Sequence, residues 1–231
     1  MNDLALYIIV GILEAVGITA GMKYIYTYIR AKDEGFEKSL FLPKYIIPTA
    51  AICVGSALFS AFSMLLNGTD SVDVLKFAVV ICALTLGSIT DIKLKLIPNI
   101  LSIAMIALWL IGTVLDILLF GADFMFEMVS SLIGGSFGGG LLLIGRLISR
   151  NGMGMGDVKI MFAVGLLLKF DRTFGLLFWA LILSLVVGIG LMIFKKVKKT
   201  YTICMAPFFL SGAVISVVAE FISYMVYGGV Q

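Results

Sequence analysis

Residues 74–99 read VLKFAVVICALTLGSITDIKLKLIPN, an apolar run that ends in Asp91 and is followed by Lys93, Lys95 and Pro98. A run of this length is sufficient to cross the hydrocarbon core of a bilayer as a helix. The acid and the two lysines behind it mark a membrane boundary, and Pro98 suits the start of a new helix, where a missing N–H costs nothing. The same pattern recurs along the chain. Apolar segments can be drawn at 4–28, 45–66, 74–90, 98–120, 126–148, 158–168, 174–194 and 203–227. They are continuous and lack the period-2 alternation of a barrel strand. The fold class is therefore all-α, a polytopic transmembrane bundle of about eight segments forming a single domain over 1–231.

Composition agrees. The 231 residues are 61% hydrophobic and 13% charged, leaving too little polar surface for a soluble domain of this length. Histidine is absent, which excludes Ser-His-Asp and Cys-His catalysis. Cys53, Cys82 and Cys204 are isolated in apolar runs with no CxxC pair, so neither a zinc knuckle nor a disulfide framework is expected and no metal site is assigned. No basic residue precedes the first apolar run, whereas Arg30 and Lys32 follow it. That order is the reverse of a cleavable signal peptide, and the first segment reads as a retained helix.

Basic residues set the orientation. The loops after the first, third, fifth and seventh segments, with the neighbouring segment ends, carry most of the Lys and Arg. Among these are Arg30, Lys32, Lys93, Lys95, Arg146, Arg150, Lys159 and the cluster at Lys195, Lys196, Lys198 and Lys199. The opposite side holds Lys76, Lys169 and Arg172 and collects Asp3, Asp70, Asp73, Asp123 and Asp171. The basic side is expected to be cytoplasmic, with both termini outside. The sixth segment, 158–168, is too short to span alone. It either recruits Gly156-Asp157 or Lys169-Phe170, or forms a tilted helix beside a cavity.

Just before that short segment stands Gly152-Met153-Gly154-Met155-Gly156-Asp157. Alternating glycines permit unusual backbone conformations and leave room for a substrate backbone. Alone, the motif also reads as a flexible loop with an acid at a helix start. Asp91 alone equally reads as an acid paired with Lys93 or Lys95 at the lipid headgroups. The two acids gain weight together. Two crossings separate them, so both fall at the cytoplasmic boundary. Neighbouring carboxylates do not both ionise easily and share a proton. The ionised member could draw a proton from water while the protonated member polarises a peptide carbonyl; which is which stays open.

These motifs resemble those of the type IV prepilin peptidases, bacterial membrane aspartyl proteases of the GxGD class. The resemblance rests on Asp91 followed by Ile97-Pro98-Asn99, on Gly154-Met155-Gly156-Asp157-Val158-Lys159, and on Ala206-Pro207-Phe208 in the last segment. It covers roughly residues 84–211. It implies that Asp91 and Asp157 are the catalytic pair, supported by Gly152, Gly154, Gly156, Lys159, Pro98, Asn99, Pro207 and Phe208. It implies prepilin or pseudopilin substrates, whose basic leader is removed at the cytoplasmic face of the inner membrane, without a cofactor. Many relatives also methylate the new N-terminus with S-adenosylmethionine and carry a zinc-binding first loop. Here residues 30–44 form a short loop without cysteine, so that zinc site is not expected and methyl transfer stays open. No nucleic-acid partner is expected.

Other readings belong beside this one. Archaeal preflagellin peptidases and presenilin-type enzymes share the GxGD motif, although the latter typically carry Tyr-Asp where this chain has Thr90-Asp91. A cation- or proton-coupled transporter would use acids at the midplane, for which Glu14 and Glu220 are the candidates. Gly134, Gly135, Gly138, Gly139 and Gly140 suggest close helix packing.

Overall fold

The computed structural model describes residues 71–121, 123–149, 153–194 and 204–227, together with isolated positions nearer the N-terminus. The segments expected at 4–28 and 45–66, the 30–44 loop, Glu14, Cys53, Gly152 and the 195–199 lysine cluster lie outside the described residues, apart from those isolated positions. Five helices make up the remainder. They are α1 (Ser71–Leu94), α2 (Asn99–Phe120), α3 (Phe124–Ile148), α4 (Met155–Phe194) and α5 (Ala206–Tyr227). All five are long and apolar enough to cross a membrane. The all-α membrane fold follows.

Helix ends follow local chemistry. Pro98 is the N-cap of α2, in extended conformation, one position earlier than a first-turn placement. Gly121 closes α2 with φ 64° and returns its N–H to the Ile117 carbonyl at 3.1 Å, a left-handed cap that costs glycine little. The Asp123 carboxylate accepts from Met125 N at 2.9 Å and so caps α3. The chain thus reverses between α2 and α3 in very few residues. The first helix continues to Leu94, so Asp91 lies in its last turn rather than at its end.

As a straight rod α4 would measure about 60 Å, twice the roughly 30 Å hydrocarbon core. It is not straight. Lys169 sits at φ 60°, ψ −173°, outside the helical region. A Cβ on Gly138 would touch both Met161 and Thr173, residues that an unbroken helix would hold about 18 Å apart. The two arms of α4 therefore fold back on each other at Lys169. The first arm runs antiparallel to α3, with Gly134 against Gly165 and Gly138 against Met161. The second starts out alongside α3, with Phe137 meeting Phe170 edge-on at 4.9 Å. The break at Lys169 resolves the short sixth segment: it gains Gly156-Asp157 at its start and stops at the lysine. At about 21 Å the first arm is still shorter than the membrane core.

Glycine makes this packing possible. A Cβ on Gly134 or Gly165 would run into the other's backbone, so the two helices approach at backbone distance, as small residues allow within membranes. Gly135, Gly138 and Gly139 share that interface, whereas Gly140 meets no described atom within 4 Å. The expected packing role holds for the first four and not for Gly140. Around the first arm of α4 lies one continuous core, with Phe77, Ile81, Leu84, Met105, Ile160, Met161, Leu176 and Phe209 fully buried. Large apolar residues such as Leu118, Ile144 and Leu185 point outward, the arrangement expected against lipid.

One end of the bundle carries charge in its interior. Lys76 of α1 pairs with Asp116 of α2 and stands 3.9 Å from Glu127 of α3. Lys169 reaches Glu127 at 2.8 Å. This lattice ties α1, α2, α3 and the α4 turn together at the end remote from Asp91 and Asp157.

Candidate active site

The C-terminal end of α1, the N-terminal ends of α2, α4 and α5, and the C-terminal end of α3 meet at the opposite end. This alternation is the up-and-down order that the charge pattern predicted for these segments. It places Asp91 and Asp157 at the same end of the bundle, and both are buried, 6% and 7% exposed. They are close enough for the charge of Asp91 to act on Asp157.

Each acid is held by the N-terminus of a helix. Met155 opens α4, so Gly154 is its N-cap and Asp157 its third residue. A carboxylate at that position reaches back to the N-cap N–H, and the Gly154 backbone bonds to Asp157. A Cβ on Gly154 would stand 3.0 Å from Asp157 Oδ2, so glycine leaves the carboxylate room to fold back. The other oxygen, Oδ1, is buried without a hydrogen-bond partner among the described residues.

In the last turn of α1, Asp91 would face the negative end of its own helix dipole, an unfavourable place for an acid. The start of α5 compensates. Ala206 N donates to Asp91 Oδ2 at 3.1 Å, and the Met205 backbone bonds to the same carboxylate. The Ala206-Pro207-Phe208 element fits this role. Ala206 is fully buried, Pro207 has no N–H to satisfy, and Phe208 N returns to the Met205 carbonyl at 3.0 Å. The free donors of a helix start are thereby accounted for, with one carboxylate of another helix taking two of them.

Cys204 adds a further tie, its thiol donating to the Asp91 carbonyl at 3.3 Å. Burial, with the nearby acid Asp91, pushes the Cys204 thiol up from its ordinary value, which keeps the proton it donates. Cys204 is isolated in the sequence, and only its fold neighbours reveal the contact with Asp91.

The two linker motifs also meet. A Cβ on Gly156 would stand 3.0 Å from Ile97 Cβ, so Gly156 permits the Ile-Pro-Asn link to cross directly over the α4 start. Lys159 Nζ donates to Asn99 Oδ1 at 3.2 Å, joining the first turns of α2 and α4. Arg146 near the end of α3 donates to the Met153 carbonyl and anchors the segment before Gly154. Of the expected site residues, Asp91, Asp157, Gly154, Gly156, Lys159, Pro98, Asn99, Pro207 and Phe208 gather at this end. Phe208 is half-buried against the core. Gly152 is outside the described residues. Glu220 stands exposed on α5, not in an internal cavity.

Two buried carboxylates held by backbone N–H groups can hold a shared proton and act on a water and a carbonyl in turn. Comparison with the curated proteins and with the solved structures gives no match. The sequence profile of the type IV leader peptidase family matches residues 78–189, a stretch that contains Asp91, the Ile97-Pro98-Asn99 link, Asp157 and the α4 hairpin. The chain is a multi-pass membrane protein, and its residues 78–189 fit the type IV leader peptidase family.

Proposed function

We propose that this peptidase is of the aspartic type and that it removes the basic leader of type IV prepilins or pseudopilins at the cytoplasmic face of the inner membrane. The observation that carries the reading is the convergence of Asp91 and Asp157, from separate motifs and separate helices, into one buried pair. Asp91, accepting backbone N–H groups from the α5 start, suits the ionised member, which takes a proton from the attacking water. Asp157, with Oδ1 unpartnered, suits the protonated member, which donates to the scissile carbonyl oxygen. Water adds to the carbonyl carbon to give a gem-diol. The proton taken up by Asp91 passes to the leaving amine as the C–N bond breaks, and a hydroxyl of the intermediate returns its proton to Asp157 as the carbonyl re-forms. Lys159, Asn99, Gly154 and Gly156 act as support, fixing the spacing of the two linkers around the acids.

The basic residues near this end, Lys95, Arg146 and Lys159, favour a cytoplasmic placement, where the leader of a membrane-inserted precursor lies. Nothing among the described residues identifies a cradle for S-adenosylmethionine, and no step of the reaction runs through it. Purified protein should convert a prepilin to its mature form, and Asp91→Asn or Asp157→Asn should each lower the rate by about 10²–10⁴-fold with the fold intact. Undiminished cleavage by either variant removes the dyad from the mechanism. Weighing the product with and without S-adenosylmethionine separates cleavage from methyl transfer.

A further inference from the structure

Alongside the candidate site, α2 and α3 are pinned together at their far ends by the short link through Gly121 and touch little elsewhere. Toward the aspartates they part. The gap between them is a groove of about 610 Å³, floored by the first arm of α4 at Val158, Lys159 and Phe162. These residues follow Asp157 directly in the chain, so the groove begins where the catalytic pair ends. It extends along α2 from Asn99 to Ile106, about 10 Å or two helical turns.

The groove is chemically graded. Asn99, Ser102 and Lys159 form its polar mouth at the aspartate end. Ile103, Ile106 and Phe162 line it deeper in the membrane, and Leu143, toward the C-terminal end of α3, lies near the mouth. One wall is built from Ser136, Gly139 and Gly140. Small residues at such spacing let a second helix approach at backbone distance. Lipid chains, which conform to any apolar surface, need no such wall. Gly140 has no described atom within 4 Å of where its Cβ would be. Packing among the described residues does not explain its glycine, although it does explain Gly134, Gly135, Gly138 and Gly139.

We propose that this groove is the docking site for the apolar transmembrane helix of the precursor, seated between α2 and α3 so that the chain emerging at Asn99 and Lys159 reaches Asp91 and Asp157. The proposal rests on the peptidase reading above. Selectivity then comes from the wall at Ser136 and Gly140, which admits a helix only at close approach. Chain leaving the groove is extended past Lys159, where the peptide bond is accessible.

The test uses the full protein in proteoliposomes with a membrane-inserted prepilin. A benzophenone amino acid replaces Ile103, which lines the groove and is exposed, and a second preparation adds Gly140→Leu. Leucine at 140 fits the described helices, since no described atom occupies the position and leucine is a better helix former than glycine. Illumination should join position 103 to the precursor helix. Gly140→Leu should abolish that adduct and lower kcat/KM for cleavage at least tenfold. An adduct to lipid alone, or cleavage by Gly140→Leu at the parental rate, overturns the groove while leaving the peptidase reading in place. A parental protein that cuts no prepilin overturns the reading itself.

Discussion

Gly156 shows how much one missing methyl group can matter. Its φ is unexceptional, and its value lies in space, because a Cβ there would stand 3.0 Å from Ile97 Cβ, tighter than an ordinary contact. An alanine there must push the Ile97-Pro98-Asn99 link outward by several tenths of an ångström. That link sets where α2 starts, and so where Asn99 meets Lys159. Gly156→Ala is expected to lower peptidase activity by about tenfold or more, since small misplacements of reacting groups are costly, while unfolding shifts by only about 1–3 kcal/mol. A rate assay beside a thermal melt in detergent checks the split. Asp157 was legible as a candidate from the glycines around it. Its return bond to Gly154 was not, since it depends on where the helix begins, and a boundary one residue later would have given another partner.

At the scale of elements, the bundle has a working end and a tied end. Lys76, Asp116, Glu127 and Lys169 join four segments at the tied end, and Lys76 is only 4% exposed. Removing one partner leaves a buried charge uncompensated, which costs about 3–5 kcal/mol, whereas replacing both with apolar residues is often nearly neutral. Lys76→Met should therefore destabilise the protein strongly, and Lys76→Met with Asp116→Leu should recover most of the loss, leaving Glu127 to Lys169. Equilibrium unfolding of the three proteins decides the matter. The charge pattern groups Lys76 and Lys169, and the structure places both at one end of the bundle, yet their partners come from helices forty or more positions away, which no local pattern reveals. The α4 hairpin was half legible. Its first arm is visibly too short to span, but the turn at Lys169 carries no glycine or proline to announce it.

At the scale of the whole molecule, the alternating helices put Asp91, Asp157, the Ile97-Pro98-Asn99 link and the Ala206-Pro207-Phe208 element at one end. In a chain with its native cysteines replaced by serine, Leu96→Cys or Leu147→Cys would lie at the site end, and Phe126→Cys at the tied end. All three parent residues are exposed. If the basic end faces the cytoplasm, a membrane-impermeant maleimide should label positions 96 and 147 only in inverted vesicles and position 126 only in intact cells. The reverse pattern would turn the molecule over and separate the proposed site from the leader side of a precursor.

The sequence by itself determined the membrane class, the alternation of the described segments and the placing of Asp91 and Asp157 at the same end, because apolar length and basic-residue bias are properties of the chain that any packing must obey. Only the tertiary structure decided which donors hold each carboxylate, how α4 turns back at Lys169, and why the Ala206-Pro207-Phe208 element lies where it does. Those features arise where helix ends from distant parts of the chain meet in a medium without water, so each buried polar group must find its partner within the protein.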